Sequence, residues 1–108
     1  MNEITLEKLR TLCHDDTIRI TQHLTLRCRE RKIRFADIKH AIMTGELIET
    51  YPDDFPQPSC LILGKTVSGN PLHVVVGVEN SCLWLITAYY PDSDNWEPDL
   101  KTRKGQQR

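Results

Sequence analysis

The sequence predicts an α+β fold, with two to three N-terminal helices packed on one face of a four-stranded antiparallel sheet. Apolar residues recur at helical spacing as far as Met43, then alternate singly with polar ones from Leu47 onward. Turn-forming groups, Ser68-Gly69-Asn70 and Asn80-Ser81, split the alternating region into segments of strand length. Helices followed by strands, rather than alternating with them, place the helices together on one side of an antiparallel sheet.

Ile4–Cys13 reads as an amphipathic helix. Ile4, Leu6, Leu9, Leu12 and Cys13 form its stripe, and Asp15-Asp16 ends it. Ile18-Arg19-Ile20 is a short linker or minor strand. Thr21 is the expected N-cap of a second helix running to about Arg31. Phe35–Met43 is a third helix with Phe35, Ile38, Ala41 and Ile42 on its inner stripe, and Gly45 stops it. The strands follow at Leu47–Tyr51, Ser59–Thr66, Pro71–Glu79 and Cys82–Tyr90. A loop with Pro52, Pro56 and Pro58 separates the first two. Pro91 breaks the fourth strand, and Asn95–Arg108 reads as a polar, partly basic tail.

The 108 residues suit a single domain, with a core at about 17–104 and a flexible tail at 105–108. An apolar fraction of 39% and a charged fraction of 27% are those of an ordinary globular chain. The net charge of −1 conceals a polarised distribution, because Lys65 is the only basic residue between residues 40 and 100. Arg19, Arg27, Arg29, Arg31, Lys32, Arg34 and Lys39 crowd the helical half, which permits a local anion-binding surface or simply a solvated helix face. Cys13, Cys28, Cys60 and Cys82 are widely spaced, without the short-range ligand pairs of a zinc site, so no metal or cofactor is expected. With no secretory leader or membrane-length apolar run, a reducing cytoplasm is the expected location.

Two groups of residues could carry chemistry. His23, Arg27 and Arg31 stand four residues apart on one helix face, a row suited to phosphate or carboxylate and equally to ordinary helix-surface salt bridges. His73 interrupts the apolar run Pro71–Glu79, and alternation sets it with Val75 and Gly77, opposite Leu72, Val74, Val76 and Val78. In the next strand, strict alternation groups Leu83, Leu85, Thr87 and Tyr89, and register decides whether they join His73. Thr87 and Tyr89 are the expected companions, on a sheet face open to solvent. A histidine beside a tyrosine and several cations is the equipment of a metal-independent ribonuclease, although a packed core histidine and a surface tyrosine fit the same pattern. Lys101 and Arg103, after Trp96, could bring further cations across the sheet edge, with Trp96 as anchor or base-stacking ring.

Read as one ordered series, these motifs resemble a known family. Thr21-x-His23-x3-Arg27-x3-Arg31-x-Ile33 precedes Gly45-Glu46-x-Ile48-Glu49-x-Tyr51 and Pro58-Ser59-Cys60-Leu61. Pro71-Leu72-His73-Val74-Val75, Ile86-Thr87-x-Tyr89-x-Pro91, Trp96 and Lys101-x-Arg103 complete it. Over about residues 17–104 the pattern resembles the bacterial domain-of-unknown-function family 4258, grouped by fold with the barnase–EndoU–colicin–RelE-like nucleases. The resemblance implies a toxin-like, metal-independent endoribonuclease acting on RNA and paired with a zinc-finger antitoxin. By position it implies His73, His23, Tyr89 and Thr87 as catalytic residues, and Arg27, Arg31, Lys101 and Arg103 as RNA-binding. The alternatives are a non-catalytic interaction domain using the polar sheet face and a small-molecule module with a histidine-lined pocket.

Overall fold

The computed structural model describes residues 4–105. The expected flexible tail at 105–108 therefore lies outside the described residues except for Gly105. Helix α1 spans Leu6–Thr11, strand β1 Ile18–Ile20, α2 Gln22–Arg31 and α3 Phe35–Thr44. Strands β2 (Glu46–Tyr51), β3 (Ser59–Lys65), β4 (Pro71–Glu79) and β5 (Cys82–Tyr89) follow. The mixed α+β class is as expected, but the sheet has five strands, ordered β1-β5-β4-β3-β2, and β1 runs parallel to β5. Ile18-Arg19-Ile20 is therefore a strand of the sheet and not a linker. It pairs with Leu83–Leu85, and the Leu83 amide donates to the Thr17 carbonyl at 2.7 Å, satisfying backbone groups that β5 would otherwise leave bare.

Local chemistry sets the helix ends. The Thr5 and Thr21 hydroxyls accept from the Lys8 and Leu24 amides, capping α1 and α2. α2 ends at Lys32, whose left-handed backbone (φ 59°) lets the Ile33 amide return to the Cys28 carbonyl at 2.9 Å. The Asp37 carboxylate accepts from the Arg34 amide at 3.2 Å and from the Val67 amide at 3.0 Å, tying the start of α3 to the β3–β4 turn. The Arg10 guanidinium of α1 donates to the Ile42 and Gly45 carbonyls, closing the C-terminal end of α3.

The helices cover one face of the sheet. Leu9, Leu24, Ile38, Ala41 and Ile42 pack there against Cys60, Ile62, Leu72, Val74, Val76, Leu83, Leu85 and Ala88. Helix α3 lies so close to β3 that a Cβ on Gly64 would sit 2.1 Å from the Ala41 carbonyl oxygen.

Strict alternation along β5 does not hold. Val75 pairs with Thr87 but Val76 pairs with Leu85, so Ile86 is an extra residue in a β-bulge. The bulge reverses the face of everything beyond it. Leu83, Leu85 and Ala88 point to the helices, whereas Thr87 and Tyr89 stand opposite Val75 and His73 on the far face. Contrary to the open face expected from sequence, the far face is closed over His73, which has no exposed surface. The segment after Pro91 folds back across it, closing through a Trp96–Arg103 bridge, and buries Trp96. At the other end Gln57 of the proline-rich loop covers Gly77.

Candidate functional site

His73 has no solvent-exposed surface, although it lies on the side of the sheet away from the helices. Register places it between Leu63 and Tyr89, and the C-terminal segment supplies the lid. Its ring meets Trp96 edge-on at a centroid distance of 4.5 Å and Tyr89 at 5.2 Å. Nε2 lies 2.8 Å from the Leu100 carbonyl oxygen, which only accepts, so Nε2 carries a hydrogen. Burial lowers the His73 pKa and favours the neutral ring, despite the opposing pull of the Leu100 carbonyl and Glu49. In that tautomer Nδ1 is the acceptor, and the Tyr89 hydroxyl donates to it at 3.2 Å. The phenol oxygen thus keeps its lone pairs for whatever approaches from outside.

The Leu100 carbonyl reaches His73 because the backbone there is left-handed, at φ 60°. Asp99 stabilises that turn by accepting from the Lys101 and Thr102 amides at 2.9 and 3.0 Å. A leucine in this conformation is costly without compensation, and the strain falls where the lid bonds the histidine.

Tyr89 opens onto a surface cleft of about 790 Å³, lined also by Arg31, Tyr90, Asp92, Asn95, Trp96, Arg103 and Lys104. Arg31 enters from the last turn of α2, held by one bond from Nη1 to the Ala88 carbonyl at 2.8 Å. Arg103 enters from the C-terminal segment and stacks on Trp96, 4.8 Å from the ring centroid. Glu49 grips it as a fork: Nε donates to Oε2 at 2.9 Å and Nη2 to Oε1 at 3.0 Å. The Tyr51 hydroxyl also donates to Glu49, and burial together with that carboxylate raises the Tyr51 pKa to about 12. Nη1 of Arg103 makes no bond among the described residues and remains free for an anion.

The Arg103 hydrogen bonds hold the Glu49 carboxyl below its ordinary pKa of 4.5, outweighing partial burial. A depressed carboxylate stabilises the fold above its unfolded pKa, and that contribution is lost as pH falls through the folded value. Glu49→Gln is accordingly expected to cost about 1–2 kcal/mol at neutral pH. Urea unfolding across pH should show the deficit shrinking as the acid range is entered. A deficit independent of pH would assign Glu49 a packing role only.

The predicted residues do not all converge. His73, Tyr89, Arg31 and Arg103 form one site. Thr87 stands opposite Val75 on the same face but does not line the cleft. Arg27 is taken up by Glu30 at 2.9 Å. His23 is exposed among Gln22, Thr25, Leu26 and Arg29, away from the cleft. Lys101 pairs with Glu46 at 3.1 Å on the β2 side. The row His23–Arg27–Arg31 thus contributes only its last member. Glu49, Tyr51, Asn95 and Lys104 join the site without having been singled out as site residues. Among the described residues no cluster of three or more His, Cys, Asp or Glu side chains could hold a metal ion, and no helix is long and apolar enough to cross a membrane.

Fold and site together define a small α+β domain with an arginine-lined, aromatic cleft in which a half-buried tyrosine leads to a buried histidine. The chain belongs to the DUF4258 family, a domain of unknown function, whose model matches residues 20–90. The match includes Arg31, His73 and Tyr89, whereas Trp96, Leu100 and Arg103 lie beyond it. Searches of curated proteins and of solved structures found no match.

Proposed function

We propose that the cleft binds single RNA strands and cleaves them by general acid–base chemistry, in the manner of the RelE- and barnase-like nucleases with which the family that the sequence resembles is grouped by fold. One observation carries the reading: Tyr89, its hydroxyl proton directed onto a neutral buried His73, lines a cleft together with Arg31 and Arg103. The RNA 2′-hydroxyl gives its proton to the Tyr89 oxygen as the Tyr89 proton passes to Nδ1 of His73. The 2′ oxygen attacks phosphorus, the bond to the 5′ oxygen breaks, and that oxygen takes a proton from Lys104. A 2′,3′-cyclic phosphate and a 5′-hydroxyl result. The guanidiniums of Arg31 and Arg103 stabilise the charge gathering on the phosphorane, and Tyr90, 40% exposed, offers a ring for base stacking. A zinc-finger antitoxin remains the partner that the resemblance suggests.

Arg31→Ala and Arg103→Ala should each weaken RNA binding by about 10-fold and lower the slope of log affinity against log salt by about 1. His23→Ala and Lys101→Ala should change affinity by less than about 3-fold, because neither lines the cleft. Fluorescence anisotropy with a labelled oligonucleotide separates the two groups. Equal losses in all four variants would disperse the site over the surface. The burial of His73 favours a second reading, in which the cleft binds RNA without cutting it. Cleavage assays on the same variants distinguish the two.

A further inference from the structure

A second concave surface lies apart from the cleft and shares no lining residue with it. Ile20 of β1 and Leu24 and Cys28 of α2 form one wall, and Ile33, Phe35 and Ile38 at the start of α3 form the other, around about 270 Å³. Ile20 is 46% and Phe35 38% exposed, although both are apolar. Cationic residues adjoin several of the residues lining this surface. Arg29 lines it, the Lys39 ammonium sits 5.2 Å from the centre of the Phe35 ring, and the exposed Lys32 and Arg34 flank Ile33 in the chain. The nearby carboxylates are already engaged: Glu30 by Arg27, Asp15 by Lys39 and Asp37 by Arg34. Arg29 and Lys32 have no ionic partner among the described residues.

We propose that this groove docks an acidic segment of a partner polypeptide, seating one apolar anchor side chain while carboxylates meet Arg29 and Lys32. Its volume lies below the roughly 300–1,000 Å³ of small-molecule pockets and suits a single anchor of the kind that dominates protein interfaces. A wall of Ile, Leu and Phe side chains offers little to a phosphate chain, and the unmatched cations Arg29 and Lys32 select for acidic residues around the anchor.

The test uses the isotope-labelled full chain and two synthetic peptides. One carries glutamates around a central leucine–phenylalanine pair; the other replaces every glutamate with glutamine. The acidic peptide should shift the amide signals of Ile20, Cys28 and Phe35, leave Tyr89 and Asn95 unmoved, and bind at least about 10-fold tighter than the amide peptide. Arg29→Glu, a surface change compatible with folding, should erase that preference. Equal binding of both peptides would overturn the proposal. So would shifts confined to the Arg31–Arg103 cleft, no shift at all, or displacement of the groove signals by single-stranded RNA.

Discussion

Tyr89→Phe should lower RNA cleavage by about 100-fold or more while leaving the protein folded. The ring keeps its place opposite His73 in the β4–β5 register, so the packing of the far face is retained. Only the oxygen that joins the cleft to Nδ1 is lost. Leaving Nδ1 without its donor should cost about 1 kcal/mol of stability, a small fraction of what such a domain possesses. Substrate affinity should change little, because the guanidiniums of Arg31 and Arg103, which we propose hold the phosphate, are untouched. A variant that binds RNA normally and has lost turnover is the expected phenotype. Equal losses of binding and turnover would instead make Tyr89 a contact residue.

His73→Ala should destabilise the fold by about 3 kcal/mol, through a cavity beneath Trp96 and the loss of two hydrogen bonds. The substitution removes the edge-on ring contact with Trp96 and orphans the Leu100 carbonyl, which a strained left-handed backbone delivers to the histidine. For a domain of this size the corresponding drop in Tm is about 15 °C, readable by calorimetry. A drop of a few degrees would show that the C-terminal segment holds its place without His73. The same residue should make the wild type acid-sensitive. Its folded pKa is depressed by burial, so the unfolded chain takes up the proton first. Stability should be full above the ordinary histidine value of 6.5 and decline as pH falls from there toward the folded value.

Much of the framework was legible because its signals are local. Thr21 and Gly45 mark helix ends, Gly69 and Asn80 take the left-handed backbone that their turns require, and alternation along β4 placed His73 opposite the core. The pairing of His73 with Tyr89 was also within reach, although strict alternation would have carried Leu83 and Leu85 to the same face. The Ile86 bulge resolves that conflict, and a bulge of one isoleucine among Leu, Ile and Thr leaves no compositional mark. Ile18–Ile20 is too short for any period to show.

The lid over His73 was less legible. Its residues are polar, and its order comes from Asp92 and Asp99 capping nearby amides and from Trp96 meeting a ring on a distant strand. Glu49 and Arg103 are 54 residues apart, and nothing in their neighbouring residues pairs them. Within the helix row, geometry alone separates Arg31, which reaches Ala88 on β5, from Arg27, which turns to Glu30.

The most direct test of the catalytic reading is cleavage of an end-labelled single-stranded RNA by the purified chain in excess chelator, with Tyr89→Phe run beside it and the product ends identified. The wild type should yield 2′,3′-cyclic phosphate ends at a rate at least about 100-fold above that of the variant. Intact RNA with both proteins, or equal rates for both, would contradict it.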